Sequence, residues 1–516
     1  MEAVDNLSEI VSKQESRIIH LEQKLKRAEA LVKFYEEQFR LAKHRQFGAS
    51  SEKSQYNHTQ LLLFNEAEAT ADPSAVEPEL VEVVKYYRKA KRKSSDRLPE
   101  NMPVEVIEYE LPADQTCPEC GEPLHIMGRE TRRELKIIPA KANIVEHVRH
   151  IYACRNCEKN DIHVPIVKAP IPEPVIKGSF ASPEAVAHIM TQKFVMSSPL
   201  YRLEQEFQRD GIMLSRQTMS NWLIRCALGW LFPIYERMKA ELLEREILFA
   251  DETTLQVLQE PGKTAQSKSY MWLYRTGGDM ANSIVLYEYK PDRRAIHPMN
   301  FLQGFSGYLH ADGYDGYHKL PENIVIVGCW SHCRRKYDEA LKSLPDKDRE
   351  GSAALQGLRY CDKLFEIERK FSKSTPEDRY AKRQELAKPV VEELFAWAES
   401  LNVLPQSGVG KAVYYTLSQR KYLERYLLDG RLECSNNRSE RSIKPFVIGR
   451  KNWLFNNTPT GAQASSIIYS IIETAKENGL NPFSYLTRVF KTAPNVDFRG
   501  DPAVLESLMP WRQLRQ

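Results

Sequence analysis

The chain has 516 residues, 42% hydrophobic and 28% charged, too long for one compact core and of ordinary globular composition. Its 73 Lys and Arg against 69 Asp and Glu leave a net charge of only +4, which excludes a uniformly basic or acidic protein and moves the question of partners to where charges cluster. No apolar run reaches about 18 residues, and MEAVDNLSEI lacks a signal peptide's basic start and apolar stretch, so a cytoplasmic protein is expected and the 9 cysteines are not a disulfide framework.

From Val4, a seven-residue step meets Val11, Ile18, Leu25, Val32 and Phe39, and a second seam runs through Leu7, Gln14, Leu21, Ala28, Tyr35 and Ala42. This heptad pattern predicts a coiled coil over 1–45, parallel and two-stranded, with Gln14 a polar register marker; a single amphipathic helix is the alternative. Residues 46–100 read as a basic, flexible linker. Within it KYYRKAKRKSSDR places seven Lys or Arg in thirteen positions, and Lys89, Lys91, Arg92 and Lys93 are candidates for neutralising phosphates.

CPEC (Cys117, Cys120) and CRNC (Cys154, Cys157) are two CxxC knuckles separated by a strand-like segment. Four thiolates so arranged suit one structural Zn²⁺ in a zinc ribbon over 101–178. Over 179–243 the pattern becomes helical: Ser182-Pro183 opens one helix, and Asp210-Gly211 divides a second from a third capped by Ser215. That is helix-turn-helix spacing, and Arg216, Gln217 and Asn221 are its candidate DNA contacts.

ILFADETTLQVL, SYMWLYRTG and NSIVLYEYK then read as three hairpin-linked strands, followed by GYLHADG and NIVIVGCW with helices between them. This order matches a ribonuclease-H-like α/β core, with Asp251 on its first strand and Asp312 just after its fourth. Residues 244–340 form the first part of that core. The stretch 341–428, rich in helix formers, predicts a mainly helical insertion; 429–475 returns to the core with Glu440 on a basic helix; 476–516 is a C-terminal helical segment. Asp251, Asp312 and Glu440 are the candidate catalytic acids, in competition with Glu252, Asp315, Asp338, Glu339 and Glu433. Around Glu440, Asn436, Asn437, Arg438, Arg441, Lys444, Arg450 and Lys451 supply amides and cations able to hold DNA phosphates. His332, Arg334 and Arg335 of CWSHCRR are read as DNA contacts or supports of the site, in preference to a second zinc site.

FGASSEK, the two knuckles, FADET, HADGYDGY, GCWSHCRRKYDEA and NNRSERSIKPFVIGRKNWLF, in this order, resemble the DDE transposases of the insertion sequence 66 family across nearly the whole chain. Lys444 departs from the arginine expected there. The resemblance implies a multidomain α/β protein: a coiled coil, zinc ribbon and helical DNA-binding domain precede a ribonuclease-H-like core carrying the helical insertion. It implies Asp251, Asp312 and Glu440 as ligands of two Mg²⁺ or Mn²⁺ ions about 4 Å apart, and the four paired cysteines as zinc ligands. Its implied partners are double-stranded DNA, both transposon ends and target, a second copy of the chain, and small accessory proteins encoded nearby; no membrane is implied, and the location is the nucleoid.

A hydrolytic nuclease or resolvase on the same core, and a non-catalytic zinc-containing regulator, remain alternatives at this stage. The knuckles generate one expectation of their own: elemental analysis of the purified chain should find one zinc, lost in Cys117→Ser and Cys154→Ser, whereas a zinc-free wild type would remove the ribbon.

Overall fold

A computed structural model describes residues 142–153, 166–278, 282–497 and 499–512, ten helical positions between Gln14 and Glu36, and the short strand pair Val81–Glu82 and Thr131–Arg132. Two compact units divide the chain, one of residues 48–169, the other of 1–47 and 170–516. In the smaller unit Ile151–Ala153 pairs antiparallel with Ile166–Lys168. Of the predicted N-terminal seam, Gln14, Ile18, Leu21, Leu25, Val32 and Tyr35 are described; all are helical and exposed. Among the described residues no helix is long and apolar enough to cross a membrane.

From Pro170 onward the larger unit first forms four helices, α1 (Pro183–Phe194), α2 (Leu200–Arg209), α3 (Arg216–Cys226) and α4 (Phe232–Leu243). Ser182 caps α1 by accepting from Ala185 N, and Ser215 caps α3 by accepting from Thr218 N, as short side-chain acceptors do at helix starts. Gly211, with φ +80°, turns the chain between α2 and α3, a left-handed conformation that glycine adopts without a Cβ clash. A π-helical turn, Ala227–Leu231, joins α3 to α4.

Five strands follow: β1 (Ile247–Gln256), β2 (Lys268–Thr276), β3 (Val285–Lys290), β4 (Gly307–His310) and β5 (Ile324–Val327). Their order in the sheet is β3-β2-β1-β4-β5. The first three form an antiparallel meander, while β4 and β5 run parallel to β1. A short helix α5 (Ile296–Phe301) makes the crossover from β3 to β4.

Alternation along β1 feeds two cores. Leu248 and Ala250 join a cluster with α1, α3 and α4, whereas Ile247 and Phe249 join one with the helices of the insertion. The segment expected to be a helix-turn-helix is therefore continuous with the sheet's own core, because the apolar faces of α1 and α3 pack there. Val175 and Ile176, expected in the zinc-ribbon region, are also buried in this core, and the larger unit resumes at Pro170.

After β5 the chain enters α6 (Trp330–Ser343) and then α7 (Ala353–Lys370), α8 (Pro376–Lys382), α9 (Lys388–Ser400), α10 (Gly408–Ser418) and α11 (Arg420–Leu423), with no strand among them. Arg383 anchors this insertion: its buried guanidinium pairs with Glu368 and donates to the carbonyls of Tyr426, Asp429 and Leu432. The chain returns through α12 (Asn437–Trp453), α13 (Pro459–Glu477), α14 (Pro482–Thr492) and α15 (Pro502–Ser507). The helix α13 runs unbroken across the expected division at residues 475 and 476, and the interruption falls at Asn478–Asn481.

An edge strand leaves a row of backbone donors without partners. On β3 those donors meet α13: Val285 N donates to Thr474 Oγ1 at 3.0 Å and Tyr287 N to Ser470 Oγ at 2.7 Å. At the other edge, Arg425 donates to Ile326 O, and Gly328 N to Tyr422 O. Replacing Ser470 and Thr474 with alanine strands two buried donors, which should cost about 1–3 kcal/mol each in urea unfolding. An unchanged unfolding midpoint would remove this sealing role.

Candidate active site

β1 and β4 pair in parallel with Ile247, Leu248 and Phe249 opposite Tyr308, Leu309 and His310. Two residues beyond the last pair lie Asp251, still on β1, and Asp312, just after β4; the pairing offset, 308 − 247 = 61, equals the spacing of the aspartates, 312 − 251. Asp251 thus has the strand parity of Phe249, on whose ring that of His310 stacks with centroids 4.2 Å apart. Burial holds His310 neutral, its pKa lowered to about 3, with the Arg383 and Arg438 charges adding to the effect.

Local backbone fixes each carboxylate. Asp251 Oδ1 accepts from Glu252 N at 2.8 Å, and Asp312 Oδ1 accepts from Tyr314 N at 3.0 Å. Burial pushes the Asp251 carboxyl well above the usual carboxylate range, and the charges of Glu252, Asp312 and Glu440 push it further, against the hydrogen bond from Glu252 N.

Glu440 lies in the first turn of α12. The helix is set in place by Asn436, which is buried: Nδ2 donates to Ala250 O at 2.8 Å and the backbone N to Cys329 Sγ at 3.1 Å. Further along, Arg275 donates to Ser442 Oγ, Tyr287 Oη donates to Ser442 O, and Arg450 donates to Thr253 and Thr254. Glu440 Oε2 is 3.5 Å from the Arg335 guanidinium, and Oε1, buried without a hydrogen bond, is 3.8 Å from His332 Nδ1. Cys329, His332 and Glu440 each direct a donor atom into a space where all three lie within 4.8 Å of one another. Burial pushes the Cys329 thiol up to about 12.

The rival acids have other engagements. Glu252, one residue from Asp251, has the opposite strand parity and pairs with Arg293; Asp338 pairs with Lys342 and Glu433 with Arg438. Asp315 stays exposed beside His318. The CWSHC group divides: Cys329 and His332 converge with Glu440, while Cys333 lies 3.3 Å from Thr416 Oγ1. Five-residue spacing along the sequence could not reveal this, because the third donor comes from a helix more than a hundred residues away.

The expected DNA contacts are distributed unevenly. Arg441, Lys444 and Lys451 form an exposed stripe on α12, with Asn437 half-buried at its start. Arg450 instead turns inward to β1, and its burial lowers the guanidinium pKa. Asn436, grouped by sequence with the phosphate-holding amides, is a buried anchor. Arg334 pairs with Asp362 at 2.6 Å, whereas His332 and Arg335 border Glu440. On α3, Arg216, Gln217 and Asn221 are exposed. Lys89, Lys91, Arg92 and Lys93, and the cysteines Cys117, Cys120, Cys154 and Cys157, lie outside the described residues.

Residues 178–464, which hold the whole sheet and all three acids, match the family described as Transposase IS66 family. The chain belongs to the IS66 transposase family. Residues 114–158, spanning all four knuckle cysteines, match the zinc-finger binding domain of transposase IS66; residues 35–107 match the family described as Transposase C of IS166 homeodomain, and 470–511 the IS66 C-terminal element. Among curated proteins it is similar to the uncharacterized protein y4jD of Sinorhizobium fredii, 31% identical over 430 residues, covering 80% of this chain and 81% of that one. Another uncharacterized protein of the same organism, y4qI, is 33% identical over 427 residues, covering 79% of this chain and 75% of its own length.

The raised Asp251 pKa has a measurable sign. A carboxyl whose pKa is higher folded than unfolded contributes stability below its unfolded value, about 3.9, and that contribution is lost as pH rises through the folded value. Without added divalent cation, Asp251→Asn should therefore gain stability relative to wild type on going from pH 5 to pH 8. A pH-independent difference in melting temperature would contradict the crowding of charge at Asp251.

Proposed function

We propose that the chain cuts and joins DNA at the ends of a mobile element, using a ribonuclease-H-like core on which Asp251, Asp312 and Glu440 hold two divalent cations. The paired strands that lead to the two aspartates, with Asp312 and Glu440 both electrostatically coupled to Asp251, carry this reading. The strand order β3-β2-β1-β4-β5, a meander followed by two parallel strands, supports the core assignment. The donor set also fits: three hard carboxylates suit Mg²⁺ or Mn²⁺, and a divalent cation relieves the repulsion that raises the Asp251 pKa. When bound, such ions lower the pKa of a water and stabilise the leaving 3′ oxygen.

The chain's own residues supply the remainder. Asp251 and Asp312, held by the amides of Glu252 and Tyr314, present oxygens from the middle of β1 and from just beyond the end of β4. Arg335 and His332 steady Glu440 from the start of α6. The exposed stripe Arg441, Lys444 and Lys451 runs on from Glu440 and grips the phosphates flanking the scissile bond, while α3 presents Arg216, Gln217 and Asn221 to a groove. After the first cut, a freed 3′-hydroxyl takes the place of water as nucleophile on target DNA. No covalent protein–DNA intermediate is needed, so no catalytic serine or tyrosine is assigned.

The four knuckle cysteines hold one structural Zn²⁺. Pairing of two chains through the N-terminal seam accounts for Ile18, Leu21, Leu25 and Val32, apolar side chains that are more than half exposed in a single chain. Small accessory proteins join the assembly, which works at the nucleoid.

Asp251→Asn, Asp312→Asn and Glu440→Gln should each abolish Mg²⁺-dependent cleavage of DNA carrying the element's ends while retaining end binding. Strand-resolved product mapping reads the first step, and joining of a pre-cut end with a free 3′-hydroxyl reads the second. Cleavage by any variant removes that acid, and cutting without joining would make the protein a nuclease.

A further inference from the structure

Glu252 adjoins Asp251, has a side chain only 2% exposed, and is itself a competent ligand for a hard cation. It is held away by a clasp. Arg293 Nε donates to Glu252 Oε1 at 2.8 Å, with a second, shorter bond from Nη2, and Tyr317 Oη donates to Oε2 at 2.7 Å. The same guanidinium lies over the Tyr314 ring, 3.9 Å from its centre, and Tyr314 Oη donates to the carbonyl of Arg293. Tyr314 N in turn donates to Asp312. One side chain from the turn after β3 thus joins the acid beside Asp251 to the loop that carries Asp312.

We infer that Arg293 is a positioning residue that restricts the metal centre to Asp251, Asp312 and Glu440 by sequestering Glu252 and bracing the Tyr314 turn. This rests on the two-metal reading above. A buried carboxylate stripped of its cation is strongly driven to find another, and the nearest available cation would be an incoming metal ion. Without Arg293, Glu252 competes for that ion and the Asp312 loop loses its brace. Partners of this kind, one shell out from the ligands, typically change metal affinity or activity by roughly 10- to 100-fold when removed.

The test is an Mn²⁺ titration of the zinc-loaded full chain, followed by electron paramagnetic resonance, beside Mg²⁺-dependent cleavage of end DNA. Arg293→Gln should lower Mg²⁺-dependent cleavage by roughly 10- to 100-fold and change the resonance of bound Mn²⁺ without weakening Mn²⁺ binding, because the freed Glu252 adds a ligand, with end binding unchanged. Glu252→Gln/Arg293→Gln, which removes the stranded charge, should recover most of the loss. Glu252→Gln alone should titrate like wild type, since Glu252 is not a ligand, and this variant keeps the test alive if Arg293→Gln does not fold. Wild-type behaviour of Arg293→Gln, failure of the double variant to recover, or weakened binding by Glu252→Gln would each overturn the inference. A wild type that binds Mn²⁺ at the triad but never cuts DNA defeats the transposition reading alone, and the titrations still decide the clasp.

Discussion

The candidate site depends on one buried amide. Asn436 ties the start of α12 to the carbonyl of Ala250, next to Asp251, and to the sulfur of Cys329, at the start of α6. Two of the three acids need no such device, because β1 and β4 are hydrogen-bonded neighbours whose register brings them together. Glu440 has no strand to carry it. A single side chain spanning two elements fixes where its helix begins, and hence where its carboxylate falls. Breaking a buried hydrogen bond at such a point costs the desolvation of each group left behind, so the geometry is held firmly.

Around this point the fold blocks alternatives. Both sheet faces are covered by separate cores and both edges are met by donors or acceptors from helices and loops. Pro445, inside α12, removes one backbone donor and weakens the helix locally. The bonds from Arg275 and Tyr287 to Ser442, three residues before it, hold that turn to the sheet. Stiffness is thereby concentrated beneath the acids, while the exposed cations of α12 stay on the outer face.

What could be read from the chain alone follows from the range of the interactions involved. Caps at Ser182 and Ser215, the glycine turn at Gly211 and the alternation of β1 are local, and each is legible in a few residues. The aspartate pair was legible because flanking strand patterns marked both. Asn436, Arg450 and the Glu252–Arg293 clasp were not: a buried amide, an inward-turned arginine and a surface cation have the same letters, and only long-range partners distinguish them. Likewise, amphipathic helices announce that they bury a face without saying against what, so the continuity of α1 and α3 with the sheet core could not be foreseen.

The insertion between α6 and α12 also sets a temporal order. Ribosomes deliver the chain from its amino end, and the 128 residues from Asp312 to Glu440 (440 − 312) take roughly 6–26 s at ordinary elongation rates. For that interval a nascent chain holds both aspartates but not the third acid. The helices that bury Ile247 and Phe249 are encoded within that same interval. Placing Glu440 late in the message leaves an unfinished chain without the third carboxylate of the candidate site.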